Sequence, residues 1–161
     1  MDEKLLIRNF VEEDLDYIVK RHGDIYEKEY DFDETFIDYV KNPLYEFYEG
    51  YDKNNENIWI AEYEGNTAGF IALVKVNEET AQLRWFLLEK EMRGKGIGSK
   101  LMSTLVKFAK DKNYKNIYLW TVDFLDAARH LYEKFGFELE ETKTSNIWGK
   151  RITEEKWNLK I

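Results

Sequence analysis

The sequence contains no cysteine, which rules out a disulfide framework, a thiolate metal site and a thiol nucleophile. A cytoplasmic setting fits that composition. One proline, Pro43, and nine glycines leave too little material for a Pro-rich linker, a collagen-like repeat or a disordered tract. No run approaches the roughly 20 apolar residues that span a membrane. The start, Met1-Asp2-Glu3-Lys4, lacks the basic and apolar regions of a signal peptide. A basic stripe is also missing. The formal net charge is -8 and the two signs are mixed along the chain, so neither nucleic acid nor a membrane is an expected partner. An acidic surface suits a cationic substrate such as an amine, and it is equally an ordinary solubility device.

What is present is apolar residues at regular spacing. Hydrophobic residues make up 43% of 161 positions, enough for one core, and residues 1–161 read as a single domain. Leu5, Ile7 and Phe10 suggest a strand. Asp14 then opens a helix carrying Leu15, Ile18 and Val19, with a break near Asp31 to Asp33 before a second helix with Phe36, Ile37 and Val40. Pro43 is expected to end that second helix. Residues 58–63 and 67–76 form a hairpin around Glu64-Gly65-Asn66, and residues 81–88 extend it into a meander with a strongly apolar last strand. After the glycines, Ile97, Leu101, Met102, Leu105 and Ala109 share one helical face, while Lys100, Ser103, Lys107 and Lys110 take the other. Residues 117–122 read as a buried strand. A short helix with Leu125, Ala128, Leu131, Tyr132 and Phe135 on one face follows, stopped by Gly136. Short β-like pieces around Ile147-Trp148 and Trp157-Asn158-Leu159, with a turn at Gly149-Lys150, complete the order β-α-α-β-β-β-α-β-α-β-β. The fold class is α/β, a mixed, mostly antiparallel sheet with flanking helices.

The chemistry-bearing segment is Arg93-Gly94-Lys95-Gly96-Ile97-Gly98, between an apolar strand and an amphipathic helix. Amide N–H groups at an open helix N-terminus attract anions, glycines let a phosphate approach the backbone, and Arg93, Lys95 and Lys100 add charge. A dinucleotide fingerprint fails because Ser99 stands where its third glycine belongs. A nucleotide P-loop fails because Gly98-Ser99-Lys100 has the wrong order. An anion site and a merely flexible turn both remain open on the loop alone. His22 and His130 lack metal-ligand spacing, so no metal is expected.

Residues 83–102, LRWFLLEKEMRGKGIGSKLM, resemble the core motif of the GNAT (GCN5-related) N-acetyltransferases, with Arg93, Gly96 and Gly98 matching their pyrophosphate loop. Ala128, Leu131, Tyr132, Gly136 and Phe137 resemble the family's second signature. The stretch RHGDIYEKEYDFDETF is similar to members in which such a domain follows a winged-helix DNA-binding domain, and none precedes it in this sequence. The resemblance implies the acyl-CoA N-acyltransferase fold and acetyl-CoA as co-substrate. Its expected contacts are backbone groups of Leu87 and Leu88, the loop from Arg93 through Gly94, Lys95, Gly96, Ile97, Gly98 and Ser99 to Lys100, and Ala128. It assigns Tyr132 to protonate the departing thiolate. Leu125 stands where members often have asparagine.

The implied activity is direct acetyl transfer to a primary amine of a small molecule. Protein-lysine or N-terminal acetylation and a non-catalytic acyl-CoA-binding role are the alternatives. A lysine-like amine must first lose a proton, which costs about 1.4 kcal/mol per pH unit. Some relatives use a glutamate on the strand before the loop, but here its inward positions are Gln82 and Arg84. Glu29, Asp31 and Glu62 are the remaining carboxylate candidates for the base, with a water chain as an equal alternative, and Tyr26, Tyr30, Phe32, Phe36 and Trp59 are candidates to wall the acceptor pocket. Open sheet edges leave a homodimer as one expectation.

Overall fold

The computed structural model describes residues 4–161. Its elements are β1 (Leu5–Asn9), α1 (Asp14–Tyr30), α2 (Thr35–Glu49), β2 (Asn57–Tyr63), β3 (Asn66–Lys75), β4 (Thr80–Leu88), a 3-10 turn (Lys90–Met92), α3 (Ile97–Asp111), β5 (Asn116–Val122), α4 (Asp126–Lys134), β6 (Glu138–Ile147) and β7 (Lys150–Lys160). The element order is the expected one. The strands form one seven-stranded sheet in the order β1-β2-β3-β4-β5-β7-β6. Every pairing is antiparallel except β4 with β5.

Local chemistry explains the turns. Glu64 and Gly65 both adopt positive φ, 51° and 84°, which gives β2 and β3 a two-residue hairpin loop whose twist matches the strands. Asp33 accepts the Thr35 N–H at 3.0 Å and so caps the start of α2. Two expectations need correction. Pro43 does not end α2, which runs on to Glu49. An interior proline costs about 3 kcal/mol, but Leu44 and Phe47 just beyond it are buried, and burying two such side chains offsets that cost. The last hairpin turns at Trp148-Gly149, one residue earlier than expected, with φ of 54° and 81° and Ile147 paired to Lys150. Its strands are also longer than the short pieces the sequence suggested.

The two faces of the sheet carry separate cores. Trp59, Ile71, Leu73, Ala81, Leu83 and Leu119 pack on one face against α3 and against Tyr132 of α4. Ile58, Ile60, Phe70, Ala72 and Val122 pack on the other against α1 and α2. The alternation of strand side chains therefore decides what each residue can reach. Trp59 sides with α3, its ring 5.1 Å from Phe108, on the face opposite the core that holds Phe32 and Phe36, against the expectation that these rings would wall one pocket together.

Candidate active site

Strand β4 changes face midway. Ala81 and Leu83 belong to the α3 core, whereas Trp85 and Leu87 belong to the α1–α2 core. The switch occurs at a register shift opposite Phe70 to Ala72, where Trp85 takes a φ of 44°. This is a β-bulge, which puts two successive side chains on one face and bends the strand. A bulky residue at positive φ costs about 1–3 kcal/mol, and burial of the indole, 7% exposed, offsets it.

The bend opens the sheet. β4 pairs with β5 only at Thr80, Ala81 and Gln82, and beyond Gln82 no ladder bond joins the two strands. The gap is occupied by a cavity of about 370 Å³ that is lined from both faces of the sheet. Leu88, Ala128, Leu131 and Tyr132 line its α3–α4 side, with Gly94 at the loop, while the Leu87 side chain lines the opposite side. Tyr26, Tyr30, Phe32 and Phe36 line its α1–α2 side, as the sequence suggested, together with Tyr39, Arg84 and Trp148.

At the cavity mouth, the first helical hydrogen bond of α3 runs from Lys100 N–H to Gly96 O at 3.1 Å. Among the described residues, the N–H groups of Gly94, Lys95, Gly96, Ile97, Gly98 and Ser99 find no backbone acceptor. Gly94 and Gly96 have φ of 80° and 81°, and a methyl group added to either would meet no protein atom within 4 Å. The loop is thus a row of outward donors at a helix N-terminus, and its residues fit a diphosphate. Gly98 serves differently: an added Cβ would lie 3.2 Å from Leu88 Cδ1, so glycine lets α3 sit close to β4.

The cations are arranged differently from the sequence expectation. Arg93 turns away from the loop and forms a two-pronged pair with Glu29, Nη1 to Oε1 at 3.0 Å and Nη2 to Oε2 at 3.1 Å. Its Nε–H also points to Leu88 O at 3.4 Å. Lys134, not singled out in the sequence, donates to Ser99 Oγ at 3.1 Å from the end of α4. Glu89 fixes the strand end: it accepts from Tyr17 at 2.6 Å and from Arg21 Nε and Nη2, each at 2.7 Å. Burial pushes the Glu89 carboxyl up, but the Arg21 and Tyr17 hydrogen bonds outweigh burial and hold it below its ordinary value. Two ion pairs thereby tie α1 to the segment between β4 and α3.

Tyr132 is held by the end of its helix. Gly136, at φ 95°, lets its own N–H reach Glu133 O and the Phe137 N–H reach Tyr132 O, both at 3.0 Å, a Schellman stop. Arg129 anchors the other side of α4 through Glu155, with Nε 2.8 Å from Oε1. The phenol is buried, and desolvation raises its pKa, with the field of Tyr26 across the cavity adding to the rise. Tyr132 is therefore a neutral O–H donor at any ordinary pH.

The carboxylate candidates fare poorly. Glu29 is paired with Arg93, Glu62 with Arg8 at 3.2 Å, and Asp31 ends α1 in a left-handed conformation. None of the three lines the cavity. Glu154 of β7 does. It lies directly opposite Val122, hence on the α1–α2 side, with Lys143 Nζ 3.6 Å away. His22 also lines the cavity. Burial lowers its pKa to about 4, and its Nδ1 lies 3.0 Å from Ile18 O, which leaves a neutral imidazole.

An open mixed sheet split beside a glycine loop defines the acyl-CoA N-acyltransferase class of fold. Residues 20–137 match the acetyltransferase (GNAT) family, and the chain belongs to it. It is 33% identical over 98 residues to the uncharacterized N-acetyltransferase YjgM of Escherichia coli, covering 59% of each chain. It is 28% identical over 99 residues to human N-acetyltransferase 8B, covering 58% of this chain and 44% of that protein. The chain thus spans about half the length of these curated relatives. Among solved structures, Salmonella typhimurium yncA with its cofactor acetyl-CoA superposes with a TM-score of 0.79 at 16% identity, covering 98% of this chain and 94% of that one. A ribosomal-protein-alanine N-acetyltransferase from Brucella melitensis gives 0.78 at 19% identity, covering 97% and 99%. Among the described residues, no helix is long and apolar enough to cross a membrane.

Proposed function

We propose that this protein is an acetyl-CoA-dependent N-acetyltransferase acting on a primary amine of a small molecule, with residues 1–161 working as one domain. The observation that carries this reading is the cavity through the sheet, with a phosphate-ready loop at one mouth and an aromatic chamber at the other. Family membership adds the reaction type, and the yncA complex supports acetyl-CoA as the acetyl source.

In this reading the amides from Gly94 to Ser99 hold the diphosphate, with Lys95, Lys100 and Lys134 supplying charge. The unpaired edge of β4 at Leu87 and Leu88, with Ala128 opposite, directs the pantetheine arm into the gap. Acetyl-CoA supplies the acetyl group as a thioester. The amine enters from the α1–α2 side. The apolar walls disfavour its ammonium form, and Glu154 accepts the proton it must lose. The neutral nitrogen attacks the thioester carbonyl carbon, a C–N bond forms, and the C–S bond breaks. Tyr132 gives its proton to the departing sulfur and recovers one from the nitrogen through water. The net change is one ammonium and one thioester converted to one amide, one thiol and one proton.

An assay of thiol release over a panel of small amines tests the proposal. Amine-dependent thiol release supports it. Release that no small amine accelerates, while a lysine-containing or N-terminal peptide does so, favours the protein-acetylating alternative.

A further inference from the structure

The α1–α2 side of the cavity is built of aromatic rings, among them Phe32, Phe36, Tyr39 and Trp148, and it receives two charged side chains, Arg84 and Glu154. Arg84 immediately precedes the bulge, so it shares a face with Trp85, and its guanidinium carbon lies 4.9 Å from the centre of the indole ring. Stacking covers one face of the guanidinium and leaves its N–H edge unused. Among the described residues Arg84 makes no ion pair or hydrogen bond, and Glu46 of α2 is the carboxylate whose field reaches it. Arg8, Arg21, Arg93 and Arg129 each form a short pair with a carboxylate. An arginine set among aromatic rings without such a partner is unusual, because a desolvated charge is normally paired.

We propose that Arg84 is the carboxylate anchor of the acceptor subsite, and that the acceptor is a free amino acid with an apolar or aromatic side chain. This rests on the acetyltransferase reading of the same cavity. The guanidinium edge presents a planar pair of donors that a carboxylate can take in two parallel hydrogen bonds. Glu154, on the same side of the sheet, supplies the countercharge for the ammonium. Arg84 pairs across the ladder with Ala72 and Glu154 with Val122, both of the α1–α2 core, so the two charged side chains line the cavity from the same side as Tyr39. The surrounding rings suit a side chain such as that of phenylalanine or leucine, and they strengthen both ionic contacts by excluding water.

The test compares substrates that differ only at the carboxylate: phenylalanine, phenylalanine amide and phenethylamine, then leucine and 3-methylbutylamine. With the wild-type protein, kcat/KM should favour each free amino acid over its partner by at least about tenfold. Arg84→Gln should erase that preference through KM and leave phenethylamine nearly unaffected, and Arg84→Lys should restore part of it. Equal or better turnover of the decarboxylated amines by the wild type would overturn the proposal, as would equal losses on both substrates in Arg84→Gln with a normal thermal melt. If no amine is acetylated at all, the enzymatic reading fails separately. Calorimetric binding of phenylalanine against phenethylamine, in wild type and Arg84→Gln, then decides the anchor by itself: an Arg84-dependent preference for phenylalanine supports it, and equal affinities reject it.

Discussion

The Phe137 amide donates to the Tyr132 carbonyl at 3.0 Å while the two rings lie 5.8 Å apart, so the residue that leaves α4 also fixes the phenol at the cavity. Replacing Tyr132 with Phe keeps the ring and removes only the hydroxyl proposed as the acid. Turnover should fall by about 100-fold or more, within the range that positioned acids contribute, while the equilibrium affinity for acetyl-CoA changes less than about twofold. Unchanged turnover across the pH range would remove Tyr132 from the chemistry.

The Arg93–Glu29 pair predicts an inverted ranking at the loop. The Arg93 guanidinium is already neutralised and partly exposed, so Arg93→Ala should weaken acetyl-CoA binding by no more than about fivefold, in line with the small worth of such pairs. Gly96→Ala should cost more. It strains a left-handed residue by about 1–2 kcal/mol and puts a methyl group where no protein atom lies within 4 Å, in the space assigned to phosphate. Titration of both variants with acetyl-CoA checks the order, and a larger loss for Arg93→Ala contradicts it.

Glu154 is expected to take the proton that the amine must lose before it attacks. In Glu154→Gln the amine must shed its proton to solvent, so the rise of kcat/KM with pH should move to higher pH and flatten. A pH profile superimposable on that of the wild type shows that Glu154 takes no proton.

His22 makes stability depend on pH. Its pKa falls from 6.5 to about 4 on folding because burial disfavours the charged ring. The unfolded chain therefore binds the proton more readily between those values, and stability declines as pH drops from about 6.5 to 4, by up to about 3 kcal/mol. Above 6.5 the contribution is constant. Denaturant melts of His22→Gln should show a shallower decline over that window, and an identical pH slope would locate the effect elsewhere.

Several parts of this fold are legible in the sequence because they are local. The Glu64-Gly65 turn, the glycine loop, the amphipathic face of α3 and the Gly136 stop each depend on residues a few positions apart. Long-range packing decides the rest. Pro43 looks like a helix end until Leu44 and Phe47 are seen buried beyond it. Trp148 at positive φ is unexpected until its ring is found 5.0 Å from that of Phe32. Simple alternation cannot anticipate that the bulge at Trp85 moves Trp85 and Leu87 to the opposite face. Arg93 with Glu29 and Arg21 with Glu89 lie 64 and 68 positions apart, with no pattern linking them. Glu154 was hidden in the same way, on a strand the sequence showed only in fragments.

The most direct test of the account is to incubate the protein with acetyl-CoA and a mixture of small amines, then follow free thiol and acetylated amine together by mass spectrometry. The account predicts both products in equal amounts from the wild type and both reduced by about 100-fold or more, in step, from Tyr132→Phe. Tight binding of acetyl-CoA with no acetylated amine and no thiol beyond spontaneous hydrolysis would contradict it, leaving a coenzyme-binding protein without transferase activity.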